Sequence, residues 1–134
     1  MTGFPLKIVT PYGLIYDGQA EEVVVRTTCG DMGILAGHVN CVAALGMGRA
    51  LVVIDGVRRY AACIGGMLSV VGGQVTLVPT TFEWAEDIDP AWIEEAAEEA
   101  NSVLSNKHAT DTEIRLAEAK LRRALVRRSV VSSI

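Results

Sequence analysis

The charge pattern of this chain breaks once, and the break limits what it can fold into. Between Glu83 and Glu99 stand eight acidic residues and no Lys or Arg, whereas residues 100–134 hold seven basic residues against three acidic ones. The first 82 residues balance at five and five. Charge sorted by chain position in this way predicts a body followed by a separate, polarised appendage.

Before the break the pattern is that of short strands: 6–10, 14–17, 20–28, 32–35, 41–45, 50–54, 57–64, 67–71 and 75–78. Val, Ile, Thr and Tyr dominate these runs, which suits pleated, partly buried surfaces. Asp55-Gly56, set between Val53-Ile54 and Val57, predicts a two-residue hairpin, because a type I′ turn needs positive φ at both central positions. Gly72-Gly73 is a second such site, and Pro11-Tyr12-Gly13 and Asp17-Gly18 are further breaks. Many short strands at this spacing predict a sandwich or a barrel.

After the break the period becomes helical. Asp89-Pro90 offers an N-cap side chain followed by proline at the first helical position. Ile93, Ala96, Ala97, Ala100, Val103 and Leu104 then share one face. Thr110 with Glu113 forms a capping-box pattern ahead of Ile114, Ala117, Leu121, Ala124 and Leu125. The tail is therefore a helical hairpin. Its alanine-rich stripes allow close approach but remove little apolar area from water, so a folded and an extended state are both expected. Glu94, Glu95, Glu98 and Glu99 are expected opposite the first stripe, and Arg115, Lys120, Arg122, Arg123 and Arg127 off the second. Both charged faces would then point outward to meet charged partners.

Several function classes fall away. A net charge of −4 lacks the basic excess that phosphate neutralisation requires, so nucleic acid is not an expected partner. The most apolar stretch, Tyr60 to Gly73, is broken by glycines and too short for a spanning helix, so no direct membrane insertion is expected. Three cysteines with no signal-peptide pattern favour a reducing compartment. Cys29, His38, Cys41 and Cys63 match no zinc spacing, and His38 with Asp31 lacks a nucleophilic serine, so neither a metal nor a catalytic site is expected. The run Gly30-Asp31-Met32-Gly33-Ile34-Leu35-Ala36-Gly37-His38 predicts a tight chain reversal at the rim of the β body.

That run, followed by Gly65-Gly66-Met67-Leu68-Ser69-Val70, by Val75-Thr76-Leu77-Val78 and by a helix start at Ile88-Asp89, resembles the epsilon subunit of F-type ATP synthase over nearly the whole chain. The resemblance implies a mainly β protein with α: an N-terminal antiparallel β-sandwich (residues 1–86) followed by a C-terminal two-helix antiparallel hairpin (87–134). It implies a non-catalytic subunit on the central stalk, with the gamma subunit, the c-subunit ring and the alpha/beta catalytic hexamer as partners. Its place would be the cytoplasmic face of the bacterial plasma membrane, peripheral through the complex. The implied role is to couple proton or sodium flow to ATP synthesis and to inhibit ATP hydrolysis when the helices extend.

By the same resemblance Asp31, Met32 and His38 would face the c ring, with Asp31 and Met32 at the tip of the rim. Arg115, Arg122, Arg123 and Arg127 would meet the acidic surface of beta subunits. Some relatives bind ATP in the folded hairpin through Ile-Asp followed by Arg-Ala; here Ile88 and Asp89 remain, but Trp92-Ile93 replace Arg-Ala. Tryptophan supplies no guanidinium fork for phosphate, so no cofactor is expected, although Glu83, Ile88, Asp89 and Arg122 would lie near such a nucleotide site. Rival readings are a free-standing β-sandwich ligand-binding module and a small thiol enzyme using Cys29.

Overall fold

A computed structural model describes residues 2–133; Met1 and Ile134, the outermost residues of the two expected domains, lie outside the described residues. The chain runs β1 (Phe4–Thr10), β2 (Gly13–Ala20), β3 (Glu22–Thr27), β4 (Gly30–Ile34), β5 (Cys41–Ala44), β6 (Met47–Ile54), β7 (Val57–Ile64), β8 (Met67–Val71), β9 (Gln74–Val78), β10 (Thr81–Trp84), a 3-10 turn (Ala85–Asp87), α1 (Pro90–Leu104) and α2 (Asp111–Val131). Among the described residues the strands form two five-stranded sheets. Sheet A has the order β2-β1-β9-β8-β5 and sheet B the order β10-β7-β6-β3-β4.

The neighbours are antiparallel except for β1 and β9, which run parallel from Leu6↔Val75 to Ile8↔Leu77. After β2 the chain crosses to sheet B and back twice, with β5 in sheet A between the two excursions, and β9 arrives beside β1 in the same direction. Alternation puts Leu6, Ile8, Val23, Val25, Leu68 and Leu77 between the sheets with no exposure, a dry core of interleaved apolar side chains. Asp55 and Gly56 adopt φ of 51° and 76°, as the hairpin reading requires. Gly72 and Gly73 do the same at 56° and 82°.

Most strand ends shift by one to three residues from the sequence reading, β2 runs on through Asp17-Gly18, and one further strand is present. Ala20 closes β2 rather than opening β3, with a bend at Glu21 between them. The strand β10 lies where the acidic segment begins and carries the inside-outside alternation of Thr81-Phe82-Glu83-Trp84. Its Phe82 and Trp84 are buried and meet edge to face, with ring centroids 5.0 Å apart. Two acidic neighbours masked a short strand whose inner face is aromatic.

The helix ends follow their sequence signals. Asp89 accepts from the Ala91 N–H at 2.9 Å, and Thr110 and Glu113 close a reciprocal capping box. The α2 helix lies across the outer face of sheet B on β6 and β7, and α1 packs antiparallel on α2. A second apolar cluster fills this joint, and five of its eight buried residues are alanine: Ala62, Ala85, Ala96, Ala97 and Ala124. Ala62 is the only residue of the two sheets among those eight. The sandwich core and the hairpin are therefore packed separately, and parting them exposes little apolar area.

Candidate functional site

The joint between hairpin and sandwich is built on one cross-strand row. Glu83 on β10 is opposite Ala62 on β7, and Ala62 is opposite Arg49 on β6. All three belong to the outer face of sheet B, where a methyl group in the middle of the row lets α2 approach. Polar contacts flank that methyl on both sides. Arg127 donates from Nε to Glu83 Oε1 at 2.6 Å, and Arg49 donates from Nη1 to Ser133 Oγ at 2.7 Å.

The Arg127 pair is the more enclosed of the two. The side chain of Arg127 is 10% exposed and that of Glu83 is 36% exposed. The ring centroid of Trp92, on the first turn of α1, lies 4.8 Å from the Arg127 guanidinium carbon, so the cation sits between a carboxylate and an aromatic face. A similar unit closes the adjoining end of the sandwich: Arg59 lies 3.8 Å over the Trp84 ring and donates to Glu86 of the 3-10 turn. The Glu86 carboxyl is held below its ordinary range by a backbone N–H of its own residue and by the Arg59 hydrogen bond.

These contacts correct the expectation of two outward charged faces. Lys120 pairs with Glu99, Arg128 with Glu94, and Arg127 with Glu83, so part of the acidic and basic charge neutralises within the folded state. Arg127 in particular is buried. Helical spacing put it off the apolar stripe, but the stripe drifts around α2, and by the last turns Arg127 and Val130 face the sheet. Arg115 and Arg122 are exposed and Arg123 is half-buried. At the other end of the hairpin a groove of about 320 Å³ remains between the helices, lined by Ala100, Val103, Leu116 and Ala117 among others.

The rim segment is an edge strand and not a tip. Gly30–Ile34 is β4, the outermost strand of sheet B, and the reversals fall at Thr28-Cys29 before it and at Ala36-Gly37 after it. Strand alternation exposes Asp31 and turns Met32 toward the sandwich core, where it is half-buried. Asp31 accepts from Arg26 Nε at 2.7 Å. The half-buried His38 follows in the loop to β5, its Nδ1 2.8 Å from the carbonyl of Val39. Asp31 and His38 thus lie along one open edge of the sandwich, where backbone groups lack a neighbouring strand.

Three of the four residues expected near a nucleotide site make contacts within the chain. Glu83 holds Arg127, Ile88 is buried in the joint, and Asp89 caps α1, whereas Arg122 points into solvent. Trp92 lies against Arg127, on the side chain that in the folded hairpin is paired with Glu83. Cys29 is exposed, Cys41 half-buried and Cys63 buried, where desolvation pushes its thiol up to about 12. Among the described residues no three His, Cys, Asp or Glu side chains converge as metal ligands, and no helix is long and apolar enough to cross a membrane.

Comparison with known proteins gives a consistent result. The sequence model of the ATP synthase delta/epsilon chain β-sandwich domain matches residues 3–85, and that of the delta/epsilon long α-helix domain matches residues 86–132. The ATP synthase epsilon chain of Bacillus velezensis is 42% identical over 128 residues, covering 96% of this chain and 96% of the relative. The ATP synthase epsilon chain of Caldanaerobacter subterraneus is 36% identical over 130 residues, covering 96% and 94%. Among solved structures, a chain of the Euglena gracilis mitochondrial ATP synthase, a structure of OSCP, F1 and c-ring, superposes with a TM-score of 0.85 at 22% identity over 98% of this chain and 82% of that one.

Proposed function

The chain belongs to the ATP synthase epsilon family, and on that premise we propose that it is a non-catalytic central-stalk subunit that couples ion translocation through a c ring to ATP synthesis and restrains ATP hydrolysis through its helices. The observation that carries the regulatory part is the joint itself. Its apolar contact is mostly alanine, and its polar contact rests on Glu83–Arg127 and Arg49–Ser133. An interface of that kind holds the hairpin down without welding it to the core, which is the property a two-state arm needs.

In this reading the folded hairpin is the state in which hydrolysis is unrestrained. Extension would release Arg127 and present it with Arg115, Arg122 and Arg123 to the acidic surface of the beta subunits. The open edge carrying Asp31 and His38 would meet the polar loops of the c ring, and adjoining sandwich surfaces would meet the gamma subunit. The complex would hold the chain peripherally at the cytoplasmic face of a bacterial membrane. No regulatory nucleotide is proposed, because Trp92 stands where an arginine would grip phosphate and supplies no guanidinium fork.

Co-expression with the gamma subunit of the same synthase tests membership of the rotor. Recovery of a stoichiometric complex that survives gel filtration supports the proposal. A chain that elutes alone while gamma is folded rejects it.

A further inference from the structure

Three guanidinium groups converge on the part of the outer face of sheet B beside the contact between Arg49 and the C-terminal end of α2. Arg26 of β3, Arg49 of β6 and Arg58 of β7 border a concavity of about 190 Å³. Val24, Leu51 and Tyr60 line it between them, and Asp31 of the edge strand completes the wall. None of these strands needs an arginine here for its ladder, since the outward positions of a half-solvated sheet take any polar side chain.

The cations are incompletely neutralised. Arg26 is paired with Asp31 at 2.7 Å, but Arg58 donates to the neutral hydroxyl of Tyr60 at 3.3 Å and Arg49 to the neutral hydroxyl of Ser133 at 2.7 Å. Glu22 attracts Arg58 from across Val53, one row beyond the concavity. A Cβ at Gly48 would lie 2.7 Å from the Cβ of Arg26, so glycine there makes room for the Arg26 stem to lie along β6.

We propose that this concavity is a binding site for a small phosphoryl oxyanion, inorganic phosphate or pyrophosphate. Guanidinium groups recognise oxyanions through paired N–H donors, and donors arriving from three strands suit the tetrahedrally arranged oxygens of phosphate better than the single plane of a carboxylate. The volume is small beside the roughly 300 Å³ at which sites for drug-sized ligands begin, and it suits a small anion better than a whole nucleotide. The site shares Arg49 with the joint but lies away from Glu83, Trp92 and Arg127, and it is present with the hairpin folded.

The test is a titration of the isotopically labelled full chain, followed by amide NMR, with sodium phosphate, sodium pyrophosphate and sodium chloride at matched ionic strength. The expected result is a saturable shift of the Val24, Leu51 and Tyr60 amides with phosphate, tighter with pyrophosphate and absent with chloride. Arg26→Gln with Arg58→Gln should weaken binding about tenfold or more, the loss expected from removing charge-assisted contacts. Arg49 is left intact because it also holds Ser133. Should the double variant fold poorly, Arg58→Gln alone carries the test, since Arg58 is on the surface. Responses equal to chloride, shifts centred on Trp92 and Arg127, or undiminished binding in the variant that folds would overturn the assignment.

Discussion

Arg127 reaches from the penultimate turn of α2 to Glu83 on the last strand of the sandwich, closing 2.6 Å between groups 44 residues apart in the chain. One ion pair thereby joins the two halves that the sequence divides by charge, and it does so under the ring of Trp92.

Replacing Glu83 by Gln should loosen the hairpin without unfolding the sandwich. Losing one partner of an enclosed pair costs about 3–5 kcal/mol when both groups are fully buried; here Glu83 is 36% exposed, so about 1–2 kcal/mol is expected. Hydrogen exchange is the measurement. Amides of α1 and α2 should exchange about 5- to 30-fold faster, while those of β3, β6 and β8 stay unchanged. Uniform acceleration across both regions would show that the joint and the core are one unit.

Gly66 should tolerate no side chain. Its φ is +95°, and a Cβ there would lie 2.1 Å from the Val78 carbonyl oxygen and 2.6 Å from the Pro79 Cα, both backbone atoms that cannot yield cheaply. Gly66→Ala should cost about 3 kcal/mol or more, whereas Gly72→Ala, with positive φ but open space, should cost about 1 kcal/mol. Urea unfolding of the two variants checks the ranking, and equal losses would contradict it.

How far these features were legible in the sequence follows from their range. The Asp55-Gly56 turn, the Asp89 cap and the Thr110-Glu113 box are each decided within four residues, and each formed as read. The hidden strand at Thr81–Trp84 and the burial of Arg127 depend on partners far away, β7 for the first and Glu83 for the second. Met32 packs inward rather than standing at a turn for a related reason. A glycine-rich run signals freedom to turn, but pairing of Val25 with Met32 and of Val23 with Ile34 holds it extended. The Phe82 and Trp84 alternation was the available signal for the strand.

Acid should weaken the end of the sandwich next to the hairpin. The Glu86 carboxyl is lowered by its backbone N–H and by Arg59, so its contribution is complete above the ordinary carboxylate value of 4.5 and is lost as the pH falls through the lowered folded value. Glu86 is mostly exposed, which keeps the contribution under about 1 kcal/mol. Denaturation from about pH 6 to about pH 3 should show Glu86→Gln losing less stability than the parent chain. Identical pH profiles would contradict the assignment.

The thiols should separate by burial. A maleimide at about pH 8 should label Cys29 first and leave Cys63 unmodified until the protein unfolds, because Cys63 is both enclosed and held protonated. Mass mapping of the labelled sites checks the order, and early labelling at Cys63 would mean that the sheets part far more readily than their packing implies.

A hairpin that is docked lightly should act when released, and ATP hydrolysis by the reconstituted synthase reads that action. Three forms of the chain are compared: the full chain, Glu83→Gln, and a chain ended after Asp87, which keeps β10 and removes both helices. Hydrolysis should be fastest with the truncated chain, slower with the full chain and slowest with Glu83→Gln, whose freed arm spends more time extended. Equal rates for all three, with each form shown to be bound to the rotor, would contradict it.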